Sequence, residues 1–146
     1  MNTISMSAGL LYIIPVILYY VTGNIVHFKA FLGVTGTTII SETIKYFFIG
    51  KASPRPQGAK DCNMLCNDGN QSGRPGMPSS HSASVAFIYG FYAQQSLSNP
   101  ILNNLLLGYA LIVMLSRYIK RCHSLSQIIV GATLGLSLSW FAVRQL

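Results

Sequence analysis

The sequence predicts an all-α integral-membrane protein, a bundle of about five transmembrane helices. Of its 146 residues, 51% are hydrophobic and only 9% are charged, whereas a soluble domain usually carries about 25% charged residues. Five apolar stretches are separated by short breaks and by one long polar loop, 50–80. We therefore expect a single membrane-embedded domain, 1–146, whose polar loop joins the second and third helices.

The first apolar stretch, 3–22, contains no charged residue and is long enough to cross the hydrocarbon core as a helix. No Lys or Arg precedes it and no small-residue cleavage site follows it, so we expect a retained helix and not a cleaved signal peptide. The remaining helices are expected at 25–49, 82–97, 101–119 and 125–143.

Two sequence features indicate contacts between these helices. Glu42 lies inside the second helix, where an acid faces the bundle interior and needs a partner; Lys45, three residues later, is the nearest one. Gly131, Gly135 and Ser139 are spaced four apart in the last helix, which favours close packing against a neighbouring helix. Five spans would also bring the polar loop and the 117–123 turn to the same membrane face.

The charge balance indicates an anionic partner. Ten Lys and Arg residues oppose three acids, for a formal net charge of +7. Lipid headgroups or a phosphorylated substrate suit this balance. Nucleic acid is not expected, because the basic residues flank apolar segments and do not form one polar face.

A first chemical motif, Gly76-Met-Pro-Ser-Ser-His-Ser82, ends the polar loop and opens an apolar helix. It offers a proton donor, His81, together with the hydroxyls of Ser79 and Ser80 and the free N–H groups of a helix N-terminus. Such a helix start favours anions.

A second motif runs from Ser116 to Gln127. His123 and Gln127 are four residues apart and therefore lie on one helix face. The Gln127 amide oxygen could accept a hydrogen bond from one ring nitrogen and leave the other free, which suits a nucleophilic His. The alternative is an interfacial His among snorkelling basic residues; His81 on the same membrane face favours the functional interpretation.

A third motif is Lys51-Ala-Ser-Pro-Arg-Pro56. The two prolines stiffen the backbone around Arg55, whose guanidinium matches phosphate oxygens in pairs. The alternative is a surface Arg in a Pro-rich turn.

Together, Pro-Arg-Pro, Pro-Ser-Ser-His and Ser-Arg with a His six residues after the Arg resemble the signature of the type-2 phosphatidic acid phosphatase–haloperoxidase superfamily. The last two motifs look most like the dolichyl diphosphatase branch. The resemblance implies a phosphatase that needs neither metal nor cofactor and removes the terminal phosphate of a polyprenyl diphosphate through a phosphohistidine.

The resemblance also implies residue roles. His123 matches the nucleophile, His81 the general acid that protonates the leaving oxygen, and Ser79 with the backbone after it the oxyanion contacts. The expected site comprises the catalytic residues His123, His81 and Gln127, the substrate-binding residues Lys51, Arg55, Ser79, Ser80 and Arg117, and the further candidates Lys45, Arg74 and Ser116.

The chain departs from the family pattern near the Lys51–Pro56 motif. The family's Lys lies seven residues before the Arg, where this chain has Phe48. Lys45 and Lys51 lie three residues on either side, and we expect Lys51 to substitute because it is nearer the loop. Gln127 stands where the family commonly has Asp, and Ser80 where it commonly has Gly; both suit the dolichyl diphosphatase branch.

Three other functions are compatible with parts of the sequence. A phosphatidate or other lipid-monophosphate phosphatase would use the same motifs. A metal-binding membrane protein could gather three Cys and two His, although the basic surroundings would repel a cation. A non-catalytic relative is disfavoured by the complete His pair.

The sequence gives two opposing indications of how the protein is oriented in the membrane. Most Lys and Arg lie on the expected catalytic side, which by the positive-inside rule would be cytoplasmic. The resemblance indicates instead a multi-pass protein of the endoplasmic reticulum membrane with a lumenal site. An oxidising lumen would then favour a disulfide between Cys62 and Cys66 in the loop.

Overall fold

In a computed structural model, which describes residues 1–95 and 99–146, the chain forms a bundle of α-helices. A π-helical turn, Ile44–Ile49, and a 3-10 turn, Gly50–Ala52, lead from the third helix into the polar loop. The helices are α1 (Asn2–Ser7), α2 (Leu10–Thr22), α3 (Ile25–Thr43), α4 (Ser80–Ala93), α5 (Pro100–Ile119) and α6 (Leu125–Gln145).

Most helix boundaries lie near the predicted ones. The first stretch is a single candidate span, Asn2–Thr22, interrupted between α1 and α2. The fourth helix begins at Pro100, after Asn99, whose side chain caps it by accepting from the Leu102 N–H at 2.7 Å. The predicted end of the third helix at Leu97, and Ser98 of the predicted turn, lie outside the described residues.

Within residues 1–95 and 99–146, three helical stretches are long and apolar enough to cross a membrane: Asn2–Thr22, Pro100–Ile119 and Leu125–Gln145. The expected span 25–49 and the described part of the expected span 82–97 do not meet this criterion. The 14 residues of α4 rise only about 21 Å, against a hydrocarbon core of about 30 Å.

Helix α4 lies at the centre of the bundle, because buried side chains occur around its whole circumference. Ala83, Val85 and Phe87 are each at most 2% exposed, and Phe91 on a later turn is 1% exposed. A helix that is buried on every side is surrounded by other helices. α4 is therefore shielded from lipid along most of its length.

Close packing of α4 against α6 confirms the small-residue pattern read from the sequence. A Cβ atom on Gly131 would clash with the Ser79 carbonyl oxygen, and one on Gly135 would clash with the Ala83 carbonyl oxygen. Ser139 is fully buried on the same stripe. This approach brings the N-termini of the two helices together.

The polar loop is folded back on itself. The Arg55 N–H donates to the Arg74 carbonyl at 2.7 Å, and the Gln71 N–H donates to the Ala59 carbonyl at 2.8 Å. Such backbone bonds fix the course of a segment that has little secondary structure of its own.

The predicted Cys62–Cys66 disulfide is wrong: Cys62 is bonded to Cys122, with the two Cα atoms 5.5 Å apart. Both cysteines are buried with Ala59 where the loop packs on the α5–α6 turn. Cys66 is a free thiol whose sulfur lies 3.4 Å from the Lys120 ammonium. Disulfide pairing depends on this tertiary contact, which spacing along the chain does not reveal.

We expect disulfide mapping of the purified protein to recover a Cys62–Cys122 peptide pair and alkylation to label Cys66 alone. Replacing Cys122 by Ser should lower the thermal stability, since losing a native disulfide typically removes about 2–5 kcal/mol. Cys66→Ser is the matched control and should melt like the wild type. A Cys62–Cys66 peptide, or three alkylated thiols in the native protein, would contradict the pairing.

Candidate active site

A cavity of about 320 Å³ lies where α3, α4, the polar loop and the α5–α6 turn meet. His81 and His123 both line it, so the expected juxtaposition of the two histidines is present. The side chains that line the cavity are those of Ala8, Tyr12, Thr38, Glu42, Lys45, Tyr46, Arg55, Cys62, Asn63, Met64, Asp68, Ser80, His81, Ser84 and His123.

The hydrogen bonds of His123 define its tautomer. Nδ1 lies 2.9 Å from the Gly76 carbonyl oxygen, and Nε2 lies 3.2 Å from Nη1 of Arg55. A carbonyl can only accept and a guanidinium can only donate, so Nδ1 carries the proton and Nε2 presents its lone pair. The unprotonated Nε2 is the nitrogen that can act as a nucleophile.

The surroundings of His123 keep the imidazole neutral. Its side chain is 2% exposed. Burial is the main cause that places the pKa of His123 well below its ordinary value of 6.5, and the nearby charges of Arg55 and Lys45 lower it further. At neutral pH the ring is therefore in its nucleophilic form.

Two groups orient His123: Gln127, as expected, and the Gly76 carbonyl, which the sequence did not reveal. Oε1 of Gln127 lies 3.3 Å from Nδ1 of His123, farther than the Gly76 carbonyl, and also accepts from the Ser124 N–H at 3.1 Å. Gly76 is required there, since a Cβ would lie 2.7 Å from the Gln127 amide. A backbone carbonyl has no sequence signature, and only the loop path positions it.

The Gln127 amide nitrogen ties the polar loop to α6. It donates to the Pro54 carbonyl at 2.9 Å, to the Ser53 carbonyl at 3.2 Å and to the Ser53 hydroxyl at 3.1 Å. These contacts immediately precede Arg55 in the chain. Gln127 therefore positions the arginine as well as the histidine.

We expect Gln127→Glu to destabilise the protein more at pH 8 than at pH 5. A carboxylate would face the Ser53 and Pro54 carbonyl oxygens, which raises the folded-state pKa of the new acid above its unfolded value. Its penalty therefore appears at high pH and is relieved as the pH falls and the acid protonates. Melting curves at both pH values measure this, with Gln127→Leu as the uncharged control. If Gln127→Glu lowered the melting temperature equally at both pH values, the assigned contacts of the Gln127 amide nitrogen would be contradicted.

Arg55 is a positioned cation and not a mobile surface residue. It is 8% exposed, and its Nη1 also donates to the Cys122 carbonyl at 3.1 Å. Its Nε is buried and has no hydrogen-bond partner among the described residues. An anion that entered the cavity would meet a guanidinium held at a fixed orientation.

His81 occupies the first turn of α4 with an unused ring nitrogen. Its Nε2 is buried and lacks a hydrogen-bond partner within residues 1–95 and 99–146. Burial first, and then the charges of Arg117 and Lys45, hold the pKa of His81 well below 6.5. A bound phosphate would oppose these cations and favour the protonated ring.

The expectation that Lys51 takes the place of the family's lysine is not supported by its position. Lys51 is exposed and does not line the cavity, whereas Lys45 is buried and does. Lys45 donates to Glu42 at 2.6 Å, which confirms the expected partner of that acid, and to the Ser80 hydroxyl at 2.8 Å. Nearness to the loop was therefore a poor guide, because Lys51 lies in the 3-10 turn Gly50–Ala52, where it is exposed, whereas Lys45 lies in the π-helical turn directly after α3 and is buried.

Besides Lys51 and Gln127, four expected site residues lie outside the cavity lining. Arg117 is fully buried and donates to the Cys62 carbonyl and, at 2.5 Å, to the Ser5 hydroxyl. The Ser79 hydroxyl caps α4 by accepting from the Ser82 N–H. Of the remaining two, the Ser116 hydroxyl bonds within α5 and Arg74 is exposed.

The sequence interpretation missed several polar residues at the cavity. Tyr12, Thr38 and Ser84 form a hydrogen-bonded set that joins three helices, with Thr38 to Ser84 at 3.0 Å. Asn63, Asp68 and Tyr46 also line the cavity. These residues belong to no recognised motif, and only the fold brings them to the site.

One of the comparisons with known proteins found a match. A family model described as the PAP2 superfamily matches residues 26–146, which include all three motifs. No curated protein and no solved structure matched the chain.

Proposed function

The chain belongs to the PAP2 superfamily, which includes lipid phosphatases, and on that premise we propose that it removes the terminal phosphate of a polyprenyl, dolichyl-like diphosphate. The reaction would pass through a phosphohistidine at His123 and need no metal ion. The observation that carries the proposal is the unprotonated Nε2 of His123 beside Arg55, in a cavity shared with His81.

In the first step, Nε2 of His123 attacks the terminal phosphorus and the bond to the bridging oxygen breaks. The polyprenyl phosphate leaves with a proton from His81. In the second step, water attacks the phosphohistidine, His81 takes the proton of that water, and inorganic phosphate and neutral His123 are released. Throughout both steps, the Gly76 carbonyl accepts the hydrogen bond from Nδ1–H of His123.

Fixed cations supply the charge compensation that phosphoryl transfer needs. Nη1 of Arg55, which contacts Nε2 of His123, would donate instead to a phosphoryl oxygen when substrate binds. The buried Lys45 lies in the same cavity. Phosphoryl transfer is mainly positioning and charge stabilisation. These side chains support a mechanism that does not depend on a divalent ion.

An apolar groove supports a lipid substrate. It has a volume of about 580 Å³ and is lined mainly by aliphatic side chains of α2, α4 and α5. Ile88 and Tyr92 line it one and two turns along α4 from Ser84 of the catalytic cavity. A hydrocarbon chain in the groove would therefore extend from a headgroup in the cavity.

The same proposal includes the membrane arrangement. α3 and α4 would cross with the three apolar spans, giving five in all, and the surrounding helices would shield the short α4 from lipid. The Cys62–Cys122 disulfide supports a catalytic face in an oxidising compartment such as the endoplasmic reticulum lumen.

Gln127 supports a diphosphate in preference to a phosphate monoester. An amide near Nδ1 adds no negative charge, so His123 is a weaker nucleophile than it would be with a carboxylate. A weaker nucleophile suffices when the leaving group is good. A polyprenyl phosphate is a far better leaving group than an alkoxide.

We expect the purified protein to release phosphate from a polyprenyl diphosphate with kcat/KM at least about tenfold above that for phosphatidate. A panel of lipid monophosphates and diphosphates, assayed with and without a chelator, measures this. Activity should survive the chelator. Equal turnover of phosphatidate and polyprenyl diphosphate would contradict the substrate, and loss of activity that added metal restores would contradict the mechanism.

A further inference from the structure

Two acids, Glu42 and Asp68, line the catalytic cavity, and Glu42 is the one that is paired with the buried lysine. Oε1 of Glu42 accepts from the Lys45 ammonium at 2.6 Å and from the Ser80 hydroxyl. Lys45 also donates to the Ser80 oxygen at 2.8 Å, so the three groups form a closed triangle. All three residues line the cavity.

The two charged partners differ in accessibility. The Lys45 side chain is 3% exposed, and that of Glu42 is 40% exposed. A buried ammonium requires an anionic partner, and Glu42 provides one. The lysine is therefore confined, whereas the carboxylate is partly accessible to solvent.

The triangle uses most of the hydrogen-bond donors that Lys45 and Ser80 could offer to a ligand. An ammonium has three donors and a hydroxyl has one. Lys45 uses two of its donors on Glu42 and Ser80, and Ser80 gives its single proton to Glu42. While Glu42 holds this position, these two residues offer a phosphoryl group one donor.

We propose that Glu42 is a specificity-determining residue, an internal anion that competes with the phosphoryl group for Lys45 and Ser80. This inference rests on the proposed function. A carboxylate and a phosphoryl oxygen accept from the same donors, and a ligand must displace Glu42 to reach them. Competition of this kind weakens the binding of inorganic phosphate, the product, more than that of the diphosphate lipid, whose hydrocarbon chain would also be held in the apolar groove.

The test is the binding of inorganic phosphate to the purified protein, measured by calorimetry and as competitive inhibition. Glu42→Gln keeps the shape and the acceptor oxygen but removes the charge. We expect its Kd and Ki for phosphate to fall about tenfold, with a smaller fall in KM for the diphosphate lipid. If Glu42→Gln does not fold, Glu42→Asp, which withdraws the carboxylate by one methylene, should also tighten phosphate binding.

Asp61→Asn is the charge-matched control. Asp61 does not line the cavity, and its Oδ1 accepts from the Gly69 N–H, which an Asn oxygen can also do. We expect unchanged phosphate binding. An equal shift in this control would assign the effect to net charge and overturn the proposal.

Two further results would also overturn the inference. A higher Kd in Glu42→Gln would mean that Glu42 holds Lys45 in place for the ligand, and an unchanged Kd would mean that it does not compete. Calorimetry separates this inference from the proposed function, because it needs no turnover. Tighter phosphate binding by a protein that hydrolyses no lipid phosphate would contradict the function alone.

Discussion

Replacing His123 by Ala should lower lipid diphosphate hydrolysis by at least about 10³-fold, since the reaction loses its nucleophile. Nε2 is the atom that would bond to phosphorus, and water would have to attack directly in its place. His81 is not expected to substitute, because it lies on α4 and not in the α5–α6 turn, and the proposed mechanism uses it as the proton donor. Phosphate release from the purified variant measures the loss.

The folded state should survive this substitution. His123→Ala leaves the buried Gly76 carbonyl without its donor, a penalty of about 1–3 kcal/mol, while the disulfide and the α4–α6 packing remain. Melting curves and size-exclusion profiles of the variant provide the control. Appreciable turnover by a pure, folded His123→Ala protein would end the proposed mechanism.

Replacing His81 by Ala should slow the reaction by about 10²–10⁴-fold when the leaving group is poor and much less when it is good. A general acid matters most when the leaving oxygen is strongly basic. A series of phosphate esters with leaving groups of decreasing pKa measures this dependence. The slope of log kcat/KM against leaving-group pKa should be steeper for the variant.

The pH profile gives a second readout for His81. The acid must be protonated to act, so wild-type activity should fall as the pH rises through the pKa of His81 in the enzyme–substrate complex. His81→Ala should lack this decline. Lys51→Ala, which changes an exposed residue outside the cavity, is the control and should keep the wild-type slope and profile. A variant slope equal to that of the wild type would contradict the assignment of His81 as the acid.

The sequence was informative where a local pattern determines the structure. Long uncharged stretches have to bury their backbone in helices, and so α2, α5 and α6 were predictable. The small-residue repeat of Gly131 and Gly135 predicted a close helix contact, because any larger side chain would clash. The two histidines stood at helix starts, and packing of those starts brings them together.

The sequence was uninformative where the course of the loop decides a contact. The Gly76 carbonyl that orients His123 has no side-chain signature. The Cys62–Cys122 disulfide joins segments that meet only after the loop folds over the α5–α6 turn. Lys45 and Lys51 flank the expected position equally in sequence, and only the fold shows that Lys45 lines the cavity while Lys51 is exposed.

His123 should carry the phosphoryl group during turnover. Rapid mixing of the enzyme with a polyprenyl diphosphate that is radiolabelled in its terminal phosphate, followed by alkaline quenching and peptide mapping, tests this directly. We predict acid-labile label on the peptide that contains His123, and no label in His123→Ala. A wild-type enzyme that turns over without labelled protein, or that carries the label on His81 or another residue, would contradict a phosphohistidine intermediate at His123.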